Sequence, residues 1–350
     1  MLRNLYLLTD SNSKFLISTS GGYYHSMNLE RIVSNFKNYG FSVKVIKYSE
    51  LKFDDNFENT YVLYHSSEDP GQFYKRYIED IIYFLEQKGA IVLPSFKYLK
   101  AHHNKGFMEL LRYNFKSDDL KTIKTNYFGY DIDIQNDNFN YPLVVKQCSG
   151  SGSSDVYLAR NYKELVKYVK KISNAYIFNS LFLIPFYIFK NIIKKIMNSL
   201  LNKKYLINIY KVNRPYIFQN FIDKMPGDFK VLYFSGKYYS LYRKNRKNDF
   251  RASGSGLIFE VPDNLIYPLL NFAESVVSEI NFPIIGMDIG FDGVNFHLIE
   301  FQMIHIGPIT LERSKYFYSK VNNDWIMFES SSNLEDEFCR SIYEFIISKN

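Results

Sequence analysis

The stretch 285–302, IGMDIGFDGVNFHLIEFQ, predicts two short strands joined by an Asp-Gly turn at 292–293. Side chains two apart on a strand share a face, so Glu300 and Gln302 project together. Asp288, on the first strand, comes within reach of both across the turn. Carboxylate and amide oxygens are hard ligands of the kind Mg²⁺ prefers, so the stretch predicts a magnesium site. An ordinary hairpin with a solvated acidic face is the alternative.

The composition indicates a folded globular protein. The chain has 350 residues, of which 46% are hydrophobic and 23% charged, enough for one large domain or two to three smaller ones. The net charge of +7 favours anionic partners such as nucleotides, and we expect no nucleic acid partner. Cys148 and Cys339 show no zinc spacing and cannot form a disulfide framework. They fit a reducing compartment, so we expect a cytoplasmic location.

Residues 1–100 alternate between strand patterns and helix patterns. Strands are predicted at 4–8, 41–45, 61–64 and 90–93, and helices at 27–39 and 73–87. Such alternation is typical of a parallel sheet covered by helices. None of these strands is followed by a glycine-rich phosphate loop, so we do not expect a dinucleotide-binding domain.

Residues 140–159 predict a strand that ends near Lys146, a loop rich in glycine and serine at 149–154, and a second strand. Glycines let backbone N–H groups approach a phosphate closely, and serines add donors. The loop is not a Walker loop, because no Gly-Lys-Ser/Thr follows. It is not a dinucleotide fingerprint either, because Asp155 stands at the position of the third glycine.

Residues 175–204 form an unusual insert. Ala175–Phe189 is almost entirely apolar or aromatic, and 191–201 predicts a basic amphipathic helix. The apolar run is shorter than the ~18–20 residues that span a bilayer, and it contains Pro185. The functional interpretation is peripheral contact with a membrane or a partner. The alternative is an insert that folds back onto its own domain.

Further strands are predicted at 216–222, 229–234 and 238–242, and helices at 105–112, 161–172, 262–280 and 334–348. The six histidines show no i, i+4 pair of the kind that forms a helical metal site. We expect His102 and His103 in a loop. We expect His297 and His305 to lie at the surface or to contact metal ligands without binding the metal themselves.

The order of the motifs resembles the ATP-grasp superfamily, and within it the branch of the ribosomal-protein glutamate ligase and glutathione synthetase. The series runs through the strand with Lys146 and its Gly/Ser loop, then 218–222, 226–230, 243–256, and last the stretch 285–302. The resemblance covers roughly residues 101–312. It implies an α/β (α+β) protein with an ATP-grasp fold and an N-terminal parallel-sheet pre-ATP-grasp domain.

The implied domains are a pre-ATP-grasp domain at 1–100, an ATP-grasp domain at 101–330 and a C-terminal helix at 331–350. A lid subdomain occupies about 130–222 and contains the insert 175–204. The implied ATP site comprises two lysines, a lid loop, an adenine-binding hinge and a ribose contact. In that order the matching residues are Lys105 and Lys146; Gly150, Ser151, Gly152 and Ser153; Gln219, Asn220, Phe221 and Ile222; and Asp223.

The resemblance also implies catalytic roles for Arg243 and Arg251, which match the residues that hold the γ-phosphate and the acyl phosphate. Asp288, Glu300 and Gln302 match the Mg²⁺ ligands, with Mn²⁺ a further candidate ion. The sequence departs from the family at three positions. Asn220 replaces an acidic residue, Ser253 replaces an Asn of close relatives, and Gln302 replaces an Asn.

The implied function is an ATP-dependent ligase that joins a carboxylate to an amine through an acyl phosphate. Its partners are then ATP and small-molecule carboxylate and amine substrates. The insert 175–204 suggests, as a hypothesis, a glycan-precursor substrate presented at the inner face of a membrane. Two alternatives stay open: a small-molecule kinase of the same fold, and a non-catalytic nucleotide-binding protein. The sequence also leaves a homo-oligomer open.

Overall fold

The structure, a computed structural model, describes residues 3–20, 23–69, 71–129, 134, 138–150, 155–176, 184–201, 211–247, 249–251 and 255–349. The chain divides into two compact units. Unit 1 combines residues 1–123 with 222–350, and unit 2 comprises residues 124–221. The predicted pre-ATP-grasp domain, ATP-grasp domain and lid subdomain stay predictions.

The N-terminal part of unit 1 contains the parallel sheet expected from the alternating pattern. Its strands, in spatial order, are β4 (Phe41–Lys47), β1 (Arg3–Thr9), β5 (Tyr61–Leu63) and β6 (Ile91–Leu93). The helices are α1 (Leu29–Asn38), α2 (Phe73–Gln87) and α3 (Phe96–Ala101), and β2 (Leu16–Ser20) pairs with β3 (Tyr23–Ser26). Asn28 begins α1 by accepting a hydrogen bond from the Arg31 backbone N–H at 3.1 Å.

The second sheet of unit 1 is antiparallel and carries the opening stretch of the sequence analysis. In spatial order it comprises β17 (Phe296–Gln302), β16 (Ile284–Phe291), β13 (Gly227–Phe234), β14 (Lys237–Lys244), β18 (Tyr316–Val321) and β19 (Asp324–Glu329), with β15 (Ile258–Phe259) paired to β14. The remaining helices of unit 1 are α4 (Lys105–Tyr113), α7 (Asp263–Ile280), α8 (Ile309–Arg313) and α9 (Leu334–Ser348). The apolar faces of the sheet and of α7 are buried in one core.

The two ends of unit 1 pack on each other, because α9 lies against α1. The ring of Tyr39, which follows α1, stacks on that of Tyr343 in α9, with centroids 4.4 Å apart. Arg31 forms an exposed ion pair with Asp336. Cys339 of α9 is fully buried. The last helix therefore covers the first helix of the chain.

Unit 2 contains a four-stranded antiparallel sheet with the order β7 (Thr125–Phe128), β12 (Tyr216–Asn220), β8 (Leu143–Gln147) and β9 (Val156–Ala159). It also contains α5 (Tyr162–Ser173), the pair β10 (Asn174–Tyr176) and β11 (Lys211–Asn213), and α6 (Ile184–Leu201). Asn161 caps α5, because its Oδ1 accepts from the Glu164 N–H at 3.0 Å. Within the described part of the chain, no helix combines the length and the apolar character needed to cross a membrane.

Candidate active site

The β16–β17 hairpin places the predicted metal ligands of unit 1 together. Asp288 lies directly opposite Glu300, and Gly286 lies opposite Gln302. The register shifts between Asp288 and Ile289, so the pairing beyond the carboxylates is offset. The pairing predicted from strand alternation is therefore present. The ion itself stays a prediction.

Two neighbouring strands add charged side chains beside Asp288. Asp228 and Lys230 lie two apart on β13 and therefore share a face, and Arg243 on β14 pairs opposite Asp228. The Arg243 guanidinium donates to Asp228 at 2.6 Å and 2.8 Å, and Nη2 also lies 2.7 Å from Asp288 Oδ2. Lys230 Nζ lies 2.9 Å from Asp288 Oδ1. These four side chains form a compact, electrically balanced cluster.

The environment drives the pKa values of the two aspartates apart. Burial would raise the pKa of Asp288, but the positive charges of Arg243 and Lys230 outweigh burial and hold it well below its usual range. Burial raises the pKa of Asp228 to about 6; Arg243 opposes this rise, and the negative charge of Asp288 adds to it. Burial would lower the pKa of Arg243, yet the two carboxylates raise it above its ordinary value. Arg243 therefore stays positively charged at any working pH.

Gly227 begins β13 at a point where no larger residue fits. A Cβ at this position would overlap the carbonyl oxygen of Arg243 and the ring of Tyr242. The close approach brings the start of β13 against β14, and it supports the pairing of Asp228 with Arg243.

Lys105 begins α4 and points toward the carboxylates. Asn104 caps this helix by accepting from the Phe107 N–H at 3.1 Å. Arg112, further along α4, is buried and donates to the Ile299 carbonyl oxygen of β17 at 3.0 Å. The helix is thereby anchored to β17, and Lys105 Nζ lies 3.9 Å from Glu300 Oε1.

The donor set suits a hard cation such as Mg²⁺. Asp288 and Glu300 supply carboxylate oxygens from opposed positions. Gln302 Nε2 donates to the His305 carbonyl oxygen at 2.9 Å, which leaves its amide oxygen, the ligand atom, on the other side of the group. Oxygen-only donors that include two carboxylates match the preference of Mg²⁺, so the three residues fit the ion.

Three other predicted site residues belong to unit 1. Arg251 donates through Nη2 to Asp249 Oδ2 at 2.8 Å and is about one-third exposed. Asp223 is exposed and Ile222 is half-buried. Ser253, the departure from the family, lies outside the described residues. The roles given to Arg251, Ile222 and Asp223 stay predictions.

The predicted nucleotide residues of unit 2 lie on adjacent strands. Lys146 on β8 pairs with Ile217 on β12, two residues before Gln219, so both polar side chains emerge on the same face of the sheet. Gln219 is buried, and its Nε2 donates to Thr125 Oγ1 at 3.1 Å. Gly150 is half-buried at the end of the described loop, and Ser151, Gly152 and Ser153 lie outside the described residues.

The predicted hinge of unit 2 has its backbone N–H groups engaged. The Asn220 N–H donates to the Lys124 carbonyl oxygen at 3.2 Å, and the Phe221 N–H donates to that of Pro142 at 3.3 Å. The Asn220 side chain accepts from the Lys124 N–H at 2.6 Å. Asn220, at the position where the resemblance leads us to expect an acidic residue, thus joins the end of β12 to Lys124.

The sequence motifs included Asp228 and Lys230 without assigning them a role. Two charged residues at alternate positions of an otherwise apolar strand are a usable signal, because a buried charge requires a partner. Their partners, Arg243 and Asp288, come from strands that are distant in sequence. Strand order, which the sequence does not reveal, decides that they meet.

Comparison with known proteins identifies the fold. No protein-family model and no curated protein matches the sequence. The structure is similar to D-cycloserine synthetase DcsG, with 10% identity, a TM-score of 0.51, and coverage of 97% of this chain and 98% of that chain.

Two further similar structures have lower TM-scores. They are the RimK domain protein ATP-grasp from Sphaerobacter thermophilus DSM 20745 (10% identity, 98% and 99% covered, TM-score 0.48) and ATP-grasp ligase PsnB with a minimal precursor (10%, 99% and 100%, 0.46). The likeness to DcsG spans nearly the whole of both chains. The chain therefore has the ATP-grasp fold, an α/β fold with a parallel-sheet N-terminal part, as the motif series predicts.

Proposed function

We propose that the chain is an ATP-dependent ligase that joins a carboxylate to an amine through an acyl phosphate, with Mg²⁺ or Mn²⁺ at Asp288, Glu300 and Gln302. The observation that supports this most is made on one sheet. Asp288 lies opposite Glu300 and also forms ion pairs with Lys230 and Arg243. Anionic ligands of a metal next to fixed cations suit the transfer of a highly charged phosphoryl group.

The reaction proceeds in two steps. A substrate carboxylate oxygen attacks the γ-phosphorus of ATP, the bond to the β-phosphate oxygen breaks, and ADP leaves. The amine then attacks the carbonyl carbon of the acyl phosphate, and the phosphate leaves with the bonding electrons and takes up the proton that the amine loses. Bound Mg²⁺ supplies positive charge against the phosphate oxygens. Arg243, which stays charged, and Arg251 would hold the transferring group and the acyl phosphate.

We propose that the nucleotide is held by the residues that match the motif series. Lys105, Lys146 and the loop that contains Gly150–Ser153 would contact the phosphates. The chain segment 219–223 would bind adenine and ribose. A closed lid loop would exclude water, which otherwise hydrolyses the acyl phosphate.

Lys146→Ala tests the nucleotide site. We expect Mg²⁺-ATP to raise the thermal unfolding midpoint of the wild type and to raise it much less in Lys146→Ala, because the variant loses a charged contact to phosphate. Differential scanning fluorimetry measures both. Lys170→Ala, which removes an exposed lysine of α5, is the matched control and should behave as the wild type. Equal stabilisation of Lys146→Ala and Lys170→Ala would remove Lys146 from the site.

Hydroxylamine separates the ligase from the kinase. A panel of carboxylic acids is incubated with the protein, Mg²⁺-ATP and hydroxylamine, which converts an acyl phosphate into a hydroxamate. A hydroxamate formed together with ADP supports the ligase. A phosphorylated product that hydroxylamine leaves intact identifies a kinase. Absence of both products together with nucleotide-induced stabilisation supports a non-catalytic nucleotide-binding protein.

The exposed face of α6 supports a second part of the proposal. Phe189, Ile192, Ile196 and Leu200 recur every three or four residues and are all exposed, at 62%, 49%, 52% and 76%. Lys195 is exposed beside them. An apolar stripe flanked by lysine is typical of a helix that lies in the interface of an anionic membrane. We therefore propose a cytoplasmic protein that meets a glycan-precursor substrate at the inner membrane face.

Replacing Ile192, Ile196 and Leu200 together by serine tests this contact. Because the stripe supplies the apolar area that enters the lipid, we expect the variant to lose most of its sedimentation with vesicles containing phosphatidylglycerol. Wild-type protein should sediment with these vesicles and not with neutral phosphatidylcholine vesicles. Val294→Ser, at an exposed turn of unit 1, is the control. Unchanged sedimentation of the triple variant would contradict the membrane contact.

A further inference from the structure

Four side chains converge in unit 1 at a place that the ligase chemistry does not use. Glu68 follows β5, His102 and His103 lie between α3 and α4, and His305 follows β17. One oxygen or nitrogen from each lies within 4.8 Å of those of the other three. Glu68 Oε1 lies 2.8 Å from His305 Nδ1 and 3.3 Å from His103 Nε2. Three remote segments thus place metal-binding atoms together.

The histidines of this cluster are tightly packed, and two of them have a ring nitrogen without a hydrogen-bond partner. His102 and His305 are 6% and 7% exposed, and Nε2 of each is buried without a hydrogen-bond partner. The His102 ring lies 4.8 Å from that of His305 and 4.3 Å from that of His103, measured between centroids. Burying a polar atom without a partner is costly, so native proteins rarely leave such atoms unpaired.

The backbone at the cluster is also held in a rare conformation. His103 and His305 have φ angles of 55° and 52°, in the left-handed region that residues other than glycine seldom adopt. Such strain persists where the surroundings fix the residue, and it concentrates at binding sites. In each case it directs an imidazole toward Glu68.

We propose that Glu68, His102, His103 and His305 bind a divalent transition-metal ion, with Zn²⁺ the preferred ion. Three imidazoles and one carboxylate are ligands of zinc, whereas Mg²⁺ prefers oxygen alone. Tetrahedral zinc at about 2.0–2.2 Å from each ligand needs ligand atoms roughly 3.5 Å apart. The widest separations in the cluster, up to 4.8 Å, therefore have to shorten by about 1 Å, which rotation of the imidazole rings can supply.

The proposed ion is structural rather than catalytic. Four protein ligands complete a tetrahedral sphere and leave no open position for a substrate. The ion would join the loop after β5 to the two segments that border the candidate active site. His103 precedes Lys105 by two residues, and the His305 carbonyl accepts from Gln302 Nε2. The ion would thereby fix the positions of Lys105 and Gln302 relative to Glu300.

Cobalt titration tests the site in the full-length protein. The protein is stripped with a chelator and titrated with Co²⁺ in excess Mg²⁺, which occupies the oxygen-ligand site. We expect one equivalent of Co²⁺ to bind with the intense visible absorption of tetrahedral geometry, and one equivalent of Zn²⁺ to displace it. Zn²⁺ should also raise the thermal unfolding midpoint.

Variants locate the ion. We expect His305→Ala and Glu68→Gln to lower the affinity for Zn²⁺ by about 100-fold or more, since loss of a ligand exceeds the 10–100-fold cost of losing an outer contact. His103→Ala, a less buried position, is the alternative if either variant fails to fold. His297→Gln and Glu300→Gln are the controls and should bind Zn²⁺ as tightly as the wild type. His297 is a buried histidine that contacts Thr122 and Asp292.

Two outcomes would overturn the proposal. The first is a wild-type protein that binds no stoichiometric Co²⁺ or Zn²⁺; the cluster is then a hydrogen-bonded Glu–His network or part of a substrate site. The second is binding that Glu300→Gln abolishes and His305→Ala leaves intact, which would place the ion at the oxygen ligands. Neither outcome depends on ligase activity, so the metal proposal can fail while the proposed function stands, and the reverse.

Discussion

Glu300→Gln should lower the rate of ATP turnover on the order of 10³-fold, which corresponds to about 4 kcal/mol of activation free energy. The substitution keeps the size of the side chain and removes one of the two opposed carboxylates. It weakens the hold on Mg²⁺, and with it the charge available to the transferring phosphoryl group. ADP release, measured with a coupled assay at saturating Mg²⁺, gives the change in rate.

The fold should survive this substitution. Glu300 is one-third exposed and its ion pair with Lys105 is long, at 3.9 Å, so we expect the free energy of unfolding to change by less than about 1 kcal/mol. Glu312→Gln, at an exposed position of α8, is the matched control and should retain full activity. A Glu300→Gln protein that turns over ATP as fast as Glu312→Gln would show that the hairpin is not the metal site.

Arg243→Met should lower the free energy of unfolding by about 3–5 kcal/mol, the usual cost of leaving a buried charge without its partner. The guanidinium holds Asp228 and Asp288 together, and without it Lys230 alone faces two carboxylates. The pKa of Asp288 is depressed in the fold, so this pairing stabilises the protein at neutral pH. The loss should begin to shrink as pH falls through about 6, where Asp228 protonates, and should shrink further below about 4, the ordinary range of carboxylates. Urea unfolding at several pH values measures it.

Two controls separate this effect from a general loss of charge. Arg31→Met breaks an exposed ion pair with Asp336, and we expect it to cost about 1 kcal/mol or less. Adding Asp228→Asn to Arg243→Met removes one of the unpaired carboxylates and should restore part of the stability. Equal losses in Arg31→Met and Arg243→Met, or no recovery in the double variant, would contradict the view that Arg243 neutralises two buried aspartates.

The sequence was sufficient to predict the hairpin of the candidate site. Strand alternation placed Glu300 and Gln302 on one face, and the Asp-Gly turn brought Asp288 opposite Glu300, as the structure has them. The parallel N-terminal sheet and the β13–β14 hairpin also follow from local patterns. The hairpins depend on residues that are close in sequence, and each strand and helix of the N-terminal part has its own periodic pattern, so local patterns contain most of the information.

Contacts between remote segments could not be predicted. Arg243 was one of several basic residues in a run, and only the order of β13, β14 and β16 shows that it neutralises Asp228 and Asp288. The histidines show the same limit of sequence-based prediction more clearly. His305 and His297 are buried rather than at the surface, and His305 meets Glu68 across 237 residues of sequence. No local pattern encodes a meeting of that kind.

The packing of α9 on α1 has a consequence for synthesis of the protein. The first sheet and α1 leave the ribosome before the helix that covers α1, which lies at Leu334–Ser348. Until α9 is made, the apolar side of α1 and the surface that receives Cys339 are uncovered. A chain interrupted shortly before Leu334 would therefore retain every candidate active-site residue and still emerge with an uncovered, aggregation-prone face.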